Sequence, residues 1–337
     1  MAVLGLSYWN LIDVLKAGGD GIGDVVEALT QLTPFMKDAN VLTCNKGTKH
    51  ASSIRTGLPA AAWGALYQGI PQSKGHYTQV EDTTGFLEGL SSVDKRLLDL
   101  KPEQAAKLRL MEAHGFFETF AQTIESAIWY SDVKINGKQF HGLAPRYNSL
   151  ANPNVIPGGG TGSDNTSIWF VTHGDGQTSV ITPENIAAGV QREDKGEQRV
   201  LDGAGNPYYV KEELFTQHVG IAVKDWRYNV RIPNIDVSDV IAGSVNLNKL
   251  MRSAYFRMQG RRSYKMEKQG EMSPGRTAIY MNRTIIEALT NESVNARGTD
   301  NFVRLTPMEV AGEEVQSWMG MPIRETDALL NTETLVS

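Results

Sequence analysis

The sequence predicts an α+β protein, with helix and strand collected into separate runs of the chain. Three observations predict it: one long amphipathic helical pattern at 103–131, a dense series of short β-type segments between 167 and 223, and a glycine-rich stretch at 41–99 that lacks an apolar stripe. The 337 residues suffice for one large domain or two ordinary ones. With 41% hydrophobic and 21% charged residues, wholesale disorder is excluded. A net charge of -5 lends no support to nucleic-acid binding. The 33 glycines against 13 prolines predict many turns and extended loops.

Residues 10–38 read as short helices, carried by Leu11, Ile12, Val14 and Leu15, broken at Gly18–Gly21, resumed by Val25, Val26, Leu29 and Leu32, and closed by Pro34. Such pieces must lean on something larger. No helical period survives from Val41 to about Asp99, where glycines are spread among Thr, Ser, Gln and isolated aromatics (Trp63, Tyr67, Tyr77, Phe86). So long a stretch without a core of its own predicts a β-hairpin or arm whose packing partner lies elsewhere, with strands at Val41–Cys44 and Val80–Phe86. Pro102 and Glu103 suit a helix start. Leu108, Met111, Phe116, Phe120, Ile124 and Ile128 then recur at helical spacing, widened by Phe117 and Trp129. His114, mid-helix, has no second ligand at metal spacing and reads as a surface residue.

Ile135–Lys138 and Pro157–Gly160 read as turn and loop. Ser167–Thr172, Ser179–Thr182, Pro207–Val210 and His218–Val223 read as strands, separated by turns at Gly174–Gly176 and Asp202–Gly205. Leu247, Leu250, Met251, Ala254 and Met258 mark a helix. Thr277–Met281 reads as a buried strand, and Asn282 as the cap of a helix carrying Ile285, Ile286 and Leu289. A polar stretch at 291–301 leads to a closing segment, Ser317–Arg324.

Cys44, the single cysteine, excludes an intrachain disulfide and reads as a small half-buried apolar residue. The first residues lack a basic region before an apolar core, so no signal peptide is expected, and no apolar run reaches the ~20 residues of a membrane span. A reducing cytosol is the expected environment. Phosphate-loop, dinucleotide, nucleophile-elbow and zinc-protease motifs are all missing from the sequence. No cofactor or metal site is therefore expected. His173 and Asp175 form the most enzyme-like fragment, a base and an orienter at a strand end, but Gly-Asp-Gly there reads first as a hairpin turn. Arg192–Glu197 is an acidic knot containing Glu193, Asp194 and Glu197, without the ligand spacing of a calcium loop. A basic stripe over 252–268 (Arg252, Arg257, Arg261, Arg262, Lys265, Lys268) is interleaved with Tyr255, Phe256 and Tyr264, as in a single-strand nucleic-acid binder. A partner-facing helix is the plainer reading.

Five fragments carry a resemblance. Thr166–Asp175, Ala188–Glu197, Gly220–Arg227, Val230–Asp236 and Gly320–Leu330 resemble, in order and interval, segments of the major capsid proteins of short-tailed, double-stranded DNA phages of the epsilon-fifteen type. The likeness runs from about 103 to 333. It implies the Hong Kong 97-like capsid fold: an N-terminal arm (1–40), an extended E-loop (41–100), a spine helix of the peripheral (P) domain (101–135), and an axial (A) domain with the remaining P-domain elements (136–337). It also implies a non-enzymatic subunit that self-assembles into pentamers and hexamers of an icosahedral shell around packaged DNA. Implied partners are other copies of the chain, portal and scaffold or cement proteins, and DNA held non-specifically on the inner face, with no membrane. Trp63, Tyr67, Glu193, Asp194, Glu197, Arg261 and Arg262 are the expected subunit-contact residues, the arginines pairing with the acidic knot. The rival readings are a hydrolase or metal-dependent enzyme built on His173 and Asp175, and a single-strand nucleic-acid module built on 252–268.

Overall fold

The computed structural model describes residues 31–100, 102, 105–259, 275–295, 305–310 and 313–337. Its described residues fall into two compact units. The smaller comprises Gln31, Phe86–Ile124 and Ala187–His218; the larger comprises Leu32–Gly85, Glu125–Ile186 and Val219–Ser337.

The larger unit is organised around β4 (Asn165–His173), every residue of which is buried. It lies between β8 (Val230–Asp236) and β9 (Arg276–Met281), both antiparallel to it. Beyond β9 the sheet continues to β12 (Met321–Glu325), parallel, then β11 (Glu313–Trp318) and β10 (Thr306–Val310), both antiparallel. On the other side β5 (Thr178–Thr182) pairs with the end of β7 (Pro207–Val223) and with the short β1 (Val41–Thr43). Strand alternation explains the burial of β4. Ile168 and Phe170 pack in one cluster with Met251 and Ala254 of a helix at Leu247–Arg257 and with Ile285 and Leu289 of a helix at Arg283–Asn295. Trp169, on the opposite face, meets Trp129 at 5.6 Å and the edge of Tyr147 at 5.7 Å between ring centres. Each such buried side chain contributes about 1.5–3 kcal/mol of transfer free energy. The helices are α1 (Phe35–Asp38), α2 (Lys95–Leu100), α3 (Ala105–Tyr130), α4 (Val237–Ile241), α5 (Leu247–Arg257) and α6 (Arg283–Asn295). The Pro157–Gly160 loop lies directly on β8: Gly158 N–H donates to Pro233 O at 2.8 Å, and a Cβ at Gly158 would stand 2.5 Å from Asn234 O. Only glycine fits there.

In the smaller unit, β6 (Val190–Leu201) and β7 form an antiparallel ribbon through the turn at Asp202–Gly205. Phe215 of β7 is fully buried, stacked on Phe116 of α3 at 5.2 Å with its neighbour Phe117 edge-on at 5.6 Å. Ala113 and Phe120 complete this cluster. Gly89 of β3 (His76–Asp94) sits so close to the helix that a Cβ would meet the Phe116 ring at 2.7 Å.

Several sequence expectations need correcting. Pro34 opens a helix rather than closing one, since Phe35–Asp38 follows it; Gln31–Thr33 before it are not helical, and residues 1–30 lie outside the described ones. Pro207–Val210 and His218–Val223 are one continuous strand. The acidic knot is strand β6, exposed on both faces and therefore without a period-2 apolar signal. The turn at Gly174–Gly176 joins strands that touch in parallel at a single pair, His173 with Thr178, so it closes no hairpin. His173 is the last residue of β4, not a turn residue. Strand β2 (Lys49–Gly57), polar and largely exposed, was not expected, and Lys95–Leu100 is helical. The long helix, the turn at Ile135–Lys138 and the Asn282 cap stand where expected, the Asn282 side chain accepting from Thr284 N–H at 3.1 Å.

Candidate assembly surfaces

Strands β2 and β3 pair antiparallel from Lys49 opposite Thr83 to Gly57 opposite His76, forming a hairpin in the larger unit. Its ladder is held by side chains: Lys46 meets Glu81 at 2.9 Å, and the Arg55 guanidinium lies 5.1 Å over the Tyr77 ring while donating to its hydroxyl at 2.6 Å. At the root, Asp82 is buried and accepts from Arg146 at 2.7 Å and from Val223 N–H at 3.2 Å. The far end is the opposite. In the connection at 58–75, Leu58, Leu66 and Ile70 are exposed, and Trp63 and Tyr67 are as open as in an extended chain (102% and 107%). The exposed apolar side chains of the hairpin are thus concentrated in this one connection.

The acidic contact candidates lie together on β6, but each already has a cation in its own chain. Glu193 pairs with Lys195 at 2.5 Å, Asp194 with Arg109 at 2.9 Å, and Glu197 with Lys95 at 2.8 Å. The Gly196 N–H bond and the Arg109 bond hold the Asp194 carboxyl below its usual range, and the Lys95 bond does the same for Glu197. Exposed pairs of this kind are worth about 0.2–1 kcal/mol each. The centre of the group was missed by the sequence reading: Glu213, buried on β7, takes both forks of Arg192 at 2.7 Å and also meets Arg109. Of the basic stripe, Arg252 and Arg257 lie on α5, the latter donating to Pro153 O at 2.7 Å. Arg261, Arg262, Lys265 and Lys268 lie outside the described residues.

His173 and Asp175 do not face one another. His173 Nε2 lies 2.8 Å from the Tyr280 hydroxyl, which donates to Asp38 at 3.1 Å. With that one hydroxyl proton given to Asp38, His173 must donate through Nε2, and its buried Nδ1 lone pair has no partner. Burial pushes the imidazole pKa down to about 4. Asp38 is clamped by Arg324 at 2.7 and 2.8 Å and by Arg276; burial works against its charge, but these bonds win and hold its carboxyl below the usual range. Asp175 points elsewhere, to the Asn40 amide at 3.0 Å. Beside this cluster, Glu125 is fully buried and accepts from Phe35 N–H (3.3 Å), Thr326 (3.1 Å) and Trp129 (3.4 Å) without a cation; burial pushes it up to about 7. These polar groups tie α1 and the 324–327 segment to the sheet. No group of three metal-ligating side chains occurs among the described residues, and no helix there is long and apolar enough to cross a membrane. Asp175→Ala is expected to leave particle formation unchanged within twofold, checked by sedimentation of shells. A loss of shells would show that Asn40–Asp175 matters to assembly.

The arrangement is matched, over 100% of this chain and 99% of the other, by a chain of the near-atomic structure of bacteriophage epsilon15, at 29% identity and TM-score 0.77. Weaker likenesses include the capsid of a native GTA particle (10% identity, TM-score 0.41, 66% of this chain and 99% of that one) and the holo-SrpI encapsulin complex of Synechococcus elongatus (11%, 0.45, 67% and 96%). No curated protein sequence matches. The fold is that of a shell subunit of the Hong Kong 97-like class, and the family it falls in is one of structural proteins, not enzymes. The chain belongs to the family of major capsid protein GP7, whose model it matches over residues 18–337. It is accordingly a component of the virion capsid, assembled with copies of itself.

Proposed function

We propose that this subunit forms pentamers and hexamers of an icosahedral shell, built in the bacterial host cytoplasm with portal and scaffold or cement proteins and enclosing double-stranded DNA. In this reading 1–40 is the arm, 41–100 the E-loop region, 101–135 the spine-helix region, and 136–337 the A domain with remaining P-domain elements. The reading is carried by the bare apolar end of the β2–β3 hairpin. Trp63 and Tyr67 are not buried by their own chain in the described structure, and in this reading a neighbouring copy covers them. Burial of each is worth about 1.5–3 kcal/mol before ordering costs. Repetition around a closed shell multiplies modest contacts into a stable whole. A net charge of -5 suits a wall that does not trap DNA, because phosphate binding requires Lys or Arg neutralisation.

Trp63→Ser with Tyr67→Ser is expected to leave the subunit folded by circular dichroism and to cut the yield of fast-sedimenting particles at least about tenfold. Limited proteolysis should cut 58–75 in free subunits and spare it in shells. Equal cleavage in both states, with normal yield of the double variant, would remove this loop from the contact.

A further inference from the structure

A glycine-rich loop at 158–164 leads into β4 of the larger unit and lies along the end of β8, where Gly160 N–H donates to Asn234 O at 2.8 Å. Asn165 of β4 and Asp236 of β8 are directly opposed across the ladder, which puts their side chains on one face of the sheet. A Cβ added at Gly162 would stand 2.7 Å from Asp236 Oδ2 and 2.9 Å from Asp164 Oδ1, so two carboxylate oxygens converge over this glycine. The other oxygen of each is engaged. Asp236 Oδ1 accepts from Asp239 N–H at 3.1 Å, and Asp164 Oδ2 from Ser238 N–H at 3.1 Å and from the Ser238 hydroxyl. Among the described residues neither carboxylate has a cation; the arginines nearest Asp236 in the chain, Arg227 and Arg231, are taken by Asp225 and Glu333.

Asn165 forms the inner wall. Its side chain is fully buried, and its Nδ2 donates to Gly162 O, which fixes the amide so that Oδ1 is the free atom. That oxygen has no hydrogen-bond partner among the described residues. It faces the loop at Gly160, 2.8 Å from where a Cβ would stand, and the Asp236 nitrogen lies 2.8 Å from the same point. Asp236 therefore borders both glycines, with the carboxylate of Asp164 on one side and the orphaned amide oxygen of Asn165 on the other.

We propose that Asp164, Asp236 and Asn165 bind one calcium ion, with loop carbonyls and water completing its oxygen shell. The capping bonds to 238 and 239 account for one oxygen of each carboxylate. They leave the other two brought together without a counter-charge, beside a buried acceptor without a donor. Each of these is a cost that a cation removes. Two carboxylates and an amide, with no nitrogen or sulfur ligand, suit a hard cation and not zinc or copper, which take imidazole and thiolate. Calcium accepts about 6–8 oxygens in flexible geometry, whereas magnesium demands a near-ideal octahedron that a loop and two strand ends do not impose. Glycine at 162 keeps the place open. The site is a property of the single chain and stands whether or not copies assemble.

The test is calcium binding to the full-length subunit, stripped with a chelator and dialysed against radioactive calcium chloride. One ion per chain is expected, held at least about tenfold more tightly than magnesium in competition. Asp164→Asn with Asp236→Asn keeps acceptors for the bonds from 238 and 239 and should weaken calcium binding at least about tenfold. Gly162→Ala should do the same by another route, because its Cβ displaces the carboxylate ends, which are flexible enough to move without loss of the fold. Urea denaturation separates lost binding from misfolding. Without calcium the variants should unfold at the midpoint of the original chain; with calcium at about a hundred times its dissociation constant, only the original chain should gain about a hundredfold in its folding equilibrium. No binding by the original chain, or equal binding by the original and both variants, overturns the proposal. Equal competition by magnesium does so too, since it would show only a general attraction of cations to carboxylates.

Discussion

Glu333→Ala is expected to destabilise the free subunit by about 3–5 kcal/mol, the cost of leaving a buried ion without its counter-charge. Glu333 and Arg231 are both almost fully buried and meet at 2.9 Å. The carboxylate also accepts from the Tyr130 hydroxyl at 2.6 Å and from Ser167. Arg231 donates to Ser167 at 3.1 Å and to Tyr147 O at 3.1 Å, and its guanidinium lies 5.1 Å over the Trp169 ring. One carboxylate from the last residues of the chain thus completes a polar network under β4 and β8. Removing it strands a guanidinium and two hydroxyls; removing both charges does not. Arg231→Met with Glu333→Leu should therefore recover most of the loss, because well-packed apolar replacements of buried pairs are often neutral. Urea denaturation of free subunits gives the difference. Hydrogen exchange should show the added opening in β4 and β8. A single-variant cost below about 1 kcal/mol would mean that water or another group takes over the carboxylate's place.

Nothing local in the sequence announces that network. Glu333 sits in a short polar tail, and its partners lie 102, 166 and 203 positions away. Charges buried by tertiary contact have no period to betray them. The long helix was legible for the opposite reason: Phe120, Ile124, Ile128 and Trp129 bury one face, and that face imposes a spacing. Strand β4 was legible because burial on both faces demands an almost continuous apolar run. Strand β6 was illegible as a strand because neither face is buried, so that Arg192–Glu197 shows only its charge. The same logic applies to the site residues. Trp63 and Tyr67 stand out as aromatics without a stripe, which is how exposed apolar side chains look in a sequence.

Two buried groups of opposite linkage give the second large effect. His173 titrates near 4 in the folded chain against a usual 6.5, so from pH 4 to 6.5 the unfolded state binds the extra proton and stability rises with pH. Glu125 titrates near 7 against a usual 4.5, so from pH 4.5 to 7 the folded state holds the extra proton and stability falls with pH. Each limb amounts to something on the order of 3 kcal/mol, because a tenfold change in proton affinity between the folded and unfolded chain is worth about 1.4 kcal/mol. In the unaltered subunit the two limbs oppose one another and their sum over this range is nearly flat. Asp38 enters only at the acid end: its carboxyl, held low against burial by Arg324 and Arg276, stabilises fully above pH 4 and loses that contribution as pH falls further. Glu125→Gln removes the falling limb. Its stability relative to the unaltered chain should climb by roughly 3 kcal/mol between pH 4.5 and 7, leaving a subunit that strengthens steadily toward neutrality. His173→Gln keeps a donor toward Tyr280 and removes the rising limb, so its relative stability should drop by a similar amount between pH 4 and 6.5. The measurement is urea denaturation of free subunits at half-unit pH intervals. Difference curves that stay level across the range would show that neither group is held in the protonation state its surroundings dictate. A shared response would have a structural consequence, because Glu125 takes the Phe35 amide and Asp38 the Tyr280 hydroxyl: the hold of the larger unit on the 35–38 turn would then follow pH.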